Sequence, residues 1–455
     1  MSVTDLPLPP KVPGLPLIGC ALQALRGDPR AFLLQQLRQL GPIFRMQAMH
    51  IDYLVMGGPE ANQFVNLEGR ECFESHSYWR GFMHELAADN FLIGLDGPDH
   101  LMLRKMFKSD FSKAAVDPHV EQLAALCQAR FADLQPGQEL AMVEPMLQLT
   151  SQMIGCVMTG KVPSTAQLSD FLYYVNSITL HFNLNRLPAW LLRLRGLKFR
   201  RAKRMTFAFA ESVLQEKLTT RLSGASQRDN FVDAVIAAAD QCPHLFAHGD
   251  QRFSAILPFF AGIDTLGQTL NYALFELHRQ PSLLAQLQQE IDAVFSQGVP
   301  NTEQLKQMDI LNRVIMETLR LHPSAFGMVR TAACDFEFAG KQVKKGQDIV
   351  ILTTAPQHMA EYFAEPERFD IERFAAPRNE HRQRNVFAPF GRGPHTCLGA
   401  GMAESLIALS LGSILYHYAF EALDPEQAYS ERINPTPSLG SQFRLQLKER
   451  RQAAS

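Results

Sequence analysis

Phe390-Gly391-Arg392-Gly393-Pro394-His395-Thr396-Cys397-Leu398-Gly399 sets one cysteine in a glycine-punctuated loop that runs straight into a helix-forming stretch, Ala400-Gly401-Met402-Ala403-Glu404-Ser405-Leu406. Gly391 and Gly393 allow backbone angles closed to other residues, so the loop can fold tightly enough to present one sulfur to a flat ligand. Gly399 lets the backbone beyond the cysteine lie close to that ligand. The first N–H groups of the following helix sit beside the sulfur and favour its thiolate form. A thiolate in that setting is a candidate iron ligand.

A buried cysteine is ordinarily a small apolar residue and nothing more. Cys397 is set apart by its neighbours. The other six cysteines (Cys20, Cys72, Cys127, Cys156, Cys242, Cys334) are scattered, with no Cys-x-x-Cys pair or His/Cys cluster to complete a zinc tetrahedron. Seven cysteines without framework spacing fit a reducing cytosol, so a cytoplasmic protein is expected. At 455 residues, 46% hydrophobic and 20% charged, the chain can bury a large core. No linker, repeat or low-complexity tract divides it, which implies one large unit with a smaller sub-domain. The net charge of −2 argues against bulk affinity for nucleic acid. Met1 to Pro10 holds no apolar run approaching the about 20 residues of a membrane span, so no transmembrane anchor is expected.

Periodicity fills in the outline. Pro29 to Leu40 reads as a helix, and Ile43–Gln47 with Tyr53–Met56 as a hairpin. From Pro98 to His322 the pattern is helical, with breaks expected at Pro136-Gly137, Gly160–Pro163, Arg186–Pro188 and Gly249-Asp250. Strands are expected at Met328–Thr331, Phe336–Phe338 and Asp348–Leu352, with a turn at Val343–Gly346, and an extended pair near Phe443–Leu447. Phe253 to Leu277 reads as one long helix interrupted by Ala261-Gly262-Ile263-Asp264-Thr265. Mid-helix glycine and buried acid are both costly. The plain structural reading has Thr265 bonding back to the carbonyl of Ala261 and Asp264 facing solvent.

The cysteine loop matches Phe-x-x-Gly-x-x-x-Cys-x-Gly and thereby resembles the cytochrome P450 family, whose cysteine is the axial thiolate of haem. Three further motifs occur in the family's order. Glu317-Thr318-Leu319-Arg320 and Pro366–Phe374 resemble its Glu-Arg and Pro-x-x-Phe-x-Pro-x-Arg-Phe motifs, with Ile371 in place of the usual proline. The resemblance implies that Glu317, Arg320 and Arg373 form a buried cluster fixing the loop that carries Cys397. Ala261-Gly262-Ile263-Asp264-Thr265 resembles the oxygen-binding groove, which gives Ala261 and Gly262 the role of leaving room for O2, Thr265 that of hydrogen-bonding it, and Asp264 that of relaying protons. His100, Arg104, Arg330 and His395 stand where relatives bind the haem propionates, and Phe390 and Gly399 flank the ligand loop.

The resemblance implies a mainly α fold with a small β-rich part: a single domain over 1–455, about 1–60 and 324–360 supplying the β-rich part and about 61–323 and 361–425 the helical part. It implies haem b as cofactor and a monooxygenase that puts one oxygen atom of O2 into a C–H or C=C bond. A peroxide-driven peroxygenase, a haem-thiolate isomerase and a haem-based sensor are the alternatives; relatives of the first two kinds often lack the Asp264/Thr265 pair. With no flavin or iron–sulfur domain in the chain, electrons are expected from a separate ferredoxin or flavodoxin and its NAD(P)H reductase, steered by Arg104, Lys105, Lys108, Arg378, Arg382, Arg384 and Arg392. By alignment the substrate pocket draws on Trp79, Phe82, Met83, Leu86, Phe259, Phe260, Ala261, Phe326, Gly327 and Met328. Their apolar character suits a terpenoid, steroid-like or fatty acyl substrate. Leu187 to Arg201, apolar and basic together, falls where relatives carry a lid and is a candidate for weak membrane-surface contact.

Overall fold

The computed structural model describes every residue except 1–4, 22, 24–27, 185–186, 223–229, 424–431, 434–435 and 452–455. Met1–Thr4 of the amino end and Arg186 of the expected break lie outside the described residues. The helices are α1 (Pro29–Leu40), α2 (Pro59–Asn66), α3 (His76–Leu86), α4 (Gly97–Phe107), α5 (Val120–Arg130), α6 (Val143–Ile154), α7 (Thr165–Ile178), α8 (Gly196–Leu222), α9 (Phe231–Gln241), α10 (His248–Arg279), α11 (Pro281–Phe295), α12 (Thr302–Gln307), α13 (Asp309–Leu321) and α14 (Ala400–His417). The fold is mainly α with a small β region, as expected.

The five-stranded sheet runs β1 (Ile43–Ala48), β2 (Ile51–Gly57), β8 (Asp348–Leu352), β5 (Met328–Ala332), β3 (Phe73–Glu74). β1 and β2 form the expected hairpin, and β2 then lies parallel to β8, pairing Leu54 with Ile349. β5 runs antiparallel to β8, setting Arg330 opposite Ile349. A second sheet joins β4 (Glu139–Ala141), β10 (Arg444–Arg450) and β9 (Tyr418–Ala422) and closes the chain. The turn expected at Val343–Gly346 is present, Lys345 and Gly346 turning with Gln347 N donating to Lys344 O at 3.2 Å, and the strand before it, β7 (Lys341–Val343), pairs with β6 (Phe336–Phe338) around Ala339-Gly340. Both of those residues take positive φ, +50° and +72°.

α1 starts at the residue the periodicity indicates because Asp28 caps it, accepting from Arg30 N at 2.8 Å, with Pro29 in the first turn. α10 is 32 residues long, about 48 Å at about 1.5 Å per residue. Phe253, Ile256, Ile263, Leu270 and Leu277 along it are all buried, as is nearly all of α14 from Met402 to Leu415. Helices apolar on every side must sit inside a bundle. The helical core therefore forms around these two, and the cysteine loop enters it at the start of α14.

The break expected at Gly249-Asp250 falls two residues earlier, at Phe246-Ala247, and both residues lie in the first turn of α10. Gly249 is needed for contact rather than for a turn: a Cβ there would stand 1.7 Å from the carbonyl oxygen of Ala87. Asp250 ties the same junction, accepting from Ala247 N at 3.0 Å and Asn90 N at 2.6 Å. Gly249→Ala should therefore lower stability by about 1–3 kcal/mol, the usual cost of overpacking. Equilibrium unfolding checks this, and an unchanged midpoint would show the junction is slack.

Candidate active site

Cys397 lies in the loop before α14, held by backbone. Its N–H donates to Phe390 O at 2.9 Å, Thr396 Oγ1 donates to Gly393 O at 2.8 Å, and Gly391 and Gly393 take φ of +76° and +82°. Gly399 caps α14 and turns its N–H toward the Cys397 sulfur. The residue is open along one face to an internal cavity while protein encloses the sulfur elsewhere. Burial pushes its thiol up, opposed by the Gly399 N–H and the charge of Arg104. A metal bound to the sulfur would remove that barrier, since coordination deprotonates a thiol outright.

The cavity, about 320 Å³, has Cys397 and Gly399 on one wall and Ala261, Gly262 and Thr265 of α10 on another. Leu92, Ile93, Phe111, Ile154, Leu257 and Leu266 supply apolar surface. At its edge stand His100, Arg104, Arg330 and His395, from α4, β5 and the cysteine loop. The tertiary fold thus gathers groups from four separate stretches of chain.

The edge is built for an anion. His100 and His395 stack with ring centroids 3.9 Å apart. Burial, then the charges of His395 and Arg104, bring the His100 imidazole down to about 3, so it is neutral near pH 7. Its Nε2 is buried without a hydrogen-bond partner. Burial likewise brings the Arg330 guanidinium down to about 10, and its Nη1 donates to Val329 O at 2.7 Å. An orphaned ring nitrogen beside two guanidinium groups would suit the carboxylates of a cofactor held by Cys397.

Asp96 was not evident in the sequence. Its Oδ2 accepts from Ser75 N at 2.7 Å and His76 N at 3.0 Å, while Oδ1 lies 3.1 Å from His395 Nε2, itself 3.1 Å from Ser75 Oγ. Burial opposes the charged carboxylate, but these bonds outweigh it and hold Asp96 below the usual range. Its place just before α4, at Asp96-Gly97-Pro98, was the available signal.

Thr265 Oγ1 donates to Ala261 O at 2.8 Å and Gly262 O at 3.3 Å, the back-bonding that helix geometry favours. Its lone pairs stay available. Asp264 does not line the cavity and does not simply face solvent: its carboxylate accepts from Gln268 Nε2 at 3.2 Å and from Thr436 Oγ1. Burial pushes this carboxyl up, against the bonds from Thr436 and Gln268. Pro258, also on the wall, removes one N–H from the ladder of α10 beside the cavity.

Glu317, Arg320 and Arg373 form one cluster, each side chain 0% exposed. Arg320 grips Glu317 with two bonds, Nε to Oε2 at 2.6 Å and Nη2 to Oε1 at 2.9 Å, and Arg373 Nε reaches Oε1 at 3.2 Å. Gln357, which sequence reasoning missed, carries the cluster to the cysteine loop. It accepts Arg320 Nη1 on its carbonyl at 2.7 Å and Ala388 N on its Oε1 at 2.9 Å.

Of the residues expected at the substrate pocket, Ala261 lines this cavity and the others stand around it or pack on one another. Phe82, Met83, Leu86 and Phe259 are buried, and Trp79, Phe82 and Phe260 pack on one another at 5.2–6.5 Å. Phe326 packs against His358, Phe390 lines a separate groove, and Met328 lines a second cavity that Arg330 and His395 also border. Of the cations expected to face a redox partner, Lys105, Lys108, Arg382 and Arg384 are exposed. The others are engaged: Arg104 lines the cavity, Arg378 pairs with Asp370 and Glu380, and Arg392 donates to Phe387 O.

A cysteine facing small residues of a long helix across an apolar slot with a cationic rim defines a haem-thiolate protein. The Cytochrome P450 family model matches residues 9–441, and the chain belongs to that family. It is 24% identical over 447 residues to abscisic acid 8'-hydroxylase 2 of Arabidopsis thaliana, covering 97% of this chain and 90% of that one. It is 25% identical over 333 residues to pentalenene oxygenase of Streptomyces avermitilis, covering 72% and 73%. Retinoic acid-bound cyanobacterial CYP120A1 shares the fold at TM-score 0.83 and 23% identity, over 97% of this chain and 99% of that one. The protein is accordingly a monooxygenase-type oxidoreductase that works with haem, O2, an organic substrate and an electron donor. Among the described residues no helix is long and apolar enough to cross a membrane.

Proposed function

We propose that the chain binds haem b through Cys397, with His100, Arg104, Arg330 and His395 at the propionates, and hydroxylates or epoxidises a small apolar substrate. The observation that carries this reading is the placement of Cys397 opposite Ala261, Gly262 and Thr265 across one cavity. Haem when bound supplies O2 activation, and the thiolate favours O–O cleavage. The protein's part is to hold the sulfur, exclude water with an apolar wall and deliver protons. Thr265 Oγ1, its own proton donated to Ala261 O, offers lone pairs at the α10 wall that hold a proton-bearing water, and Asp264 passes protons to that water once its bonds to Gln268 and Thr436 loosen. The Asp264/Thr265 pair favours an O2-dependent reaction over peroxide-driven or isomerase chemistry.

Thr265→Ala should leave haem content unchanged while most reducing equivalents go to peroxide. The measured ratio of product formed to NAD(P)H consumed decides it, and an unchanged ratio removes the role. A terpenoid, steroid-like or fatty acyl substrate is in keeping with the apolar wall and with relatives named for abscisic acid and pentalenene. Screening such compounds for a low-to-high-spin shift of the ferric protein tests the whole reading. No shift from any apolar compound, with shifts from charged ones, would overturn it.

Lys105, Lys108, Arg382 and Arg384 support docking of an acidic ferredoxin or flavodoxin served by an NAD(P)H reductase. Trp190, Leu194 and Leu197 are 59%, 73% and 81% exposed among Arg193, Arg195, Lys198, Arg200 and Arg201, which supports contact with an anionic lipid surface. Both associations should weaken as salt rises, and a donor or vesicle affinity indifferent to salt would sink the corresponding one. Seven unpaired cysteines support a cytoplasmic location, and we read the whole chain as one functional domain.

A further inference from the structure

Two cysteines outside the haem cavity come together at the edge of the five-stranded sheet. β3 and β5 pair Phe73 with Ala332, and one step further Ala333 N donates to Cys72 O at 2.8 Å. This brings Cys72 level with Ala333 and beside Cys334. The Cys334 thiol lies close enough to act on that of Cys72: burial first, then Cys334, then the nearby Glu71 push Cys72 up to about 11. Cys334 is exposed and Cys72 half-buried. The remaining thiols face other groups: Cys20 donates to Gln47 O, Cys156 lies against Gln122, Cys242 against Met102, and Cys127 is fully buried.

We propose that Cys72 and Cys334 are a reversible thiol–disulfide modification site for a low-molecular-weight disulfide such as oxidised glutathione, and that the bond tethers the base of α3 to β5. Cys334, as thiolate, attacks one sulfur of the small disulfide and expels the other as a thiol, leaving a mixed disulfide. Cys72 then loses its proton and attacks the Cys334 sulfur, releasing the second small thiol. Two protein thiols lose two electrons and two protons, and one small disulfide becomes two thiols. The location gives the bond a consequence. α3 begins at His76, just beyond β3, and β5 carries Arg330 at the cavity rim. A covalent tie across the last rung restrains the start of α3 relative to that strand.

The test uses the haem-loaded enzyme, in which Cys397 is ligated. Incubation with oxidised glutathione should make the intact protein lighter by two hydrogens and remove two alkylatable thiols. Peptide mapping should join Cys72 to Cys334, and dithiothreitol should restore both thiols. Cys72→Ser should instead accumulate one glutathionyl group on Cys334, and Cys334→Ser should abolish the crosslink. Amide hydrogen exchange over residues 76–86 should slow in the oxidised form. A stable adduct on wild-type Cys334 without crosslinking, or a crosslink through other cysteines, overturns the site. Equal exchange in the oxidised and reduced forms overturns the tether.

Discussion

Cys397→Ser should give a folded protein with no measurable monooxygenase turnover. Serine is close in size, and the loop is held by contacts that do not involve the sulfur: Cys397 N to Phe390 O, Thr396 Oγ1 to Gly393 O, and two left-handed glycines. The Gly399 N–H and Arg104, which favour charge on the sulfur, would face a hydroxyl that does not ionise near neutral pH. The ferrous, carbon-monoxide-treated variant should therefore lose the long-wavelength absorption that reports thiolate ligation, while its unfolding midpoint stays near wild type. Retained absorption or retained turnover would remove Cys397 from the centre of the mechanism.

Arg320→Ala should cost about 3–5 kcal/mol of stability, because it leaves a buried carboxylate short of its two-pronged partner. Glu317 would keep the single 3.2 Å bond from Arg373 and the Asp370 N–H at 2.8 Å, in a place where burial already works against its charge. Against a typical total of about 5–15 kcal/mol, that loss is a large fraction. It should also lower haem content, since the path from Arg320 through Gln357 to Ala388 supports the cysteine loop. Arg313→Ala is the contrast. Arg313 pairs at 2.8 Å with the mostly exposed carboxylates of Asp309 and Glu372, and such pairs are worth about 0–1 kcal/mol. Similar losses for the two variants in urea unfolding would refute the cluster's special role.

Much of the fold was readable because it rests on local pattern. The helix from Pro29 to Leu40, the Ile43–Met56 hairpin and the long α10 all follow from periodicity and caps. The failures share one cause. Gly249 looked like a turn because glycine is a common breaker, yet its purpose is to let the carbonyl of Ala87, far away in sequence, approach the helix. Asp96 and Gln357 carry no motif, and their roles arise from partners such as His395 and Ala388 that only folding supplies. Trp79, Phe82 and Phe260 meet as one aromatic cluster, a contact between α3 and α10 that no local pattern specifies.

The order of residues alone decided that one cysteine, framed by glycines and followed by an apolar helix, would be presented at the mouth of that helix. It also decided the family, because backbone freedom and helical period are properties of short stretches. Only the tertiary structure decided that Cys397 faces Ala261 and Gly262, that His100 stacks on His395, and that Cys72 meets Cys334. Those meetings depend on close packing between segments remote along the chain, and local conformational preference has no means of specifying them.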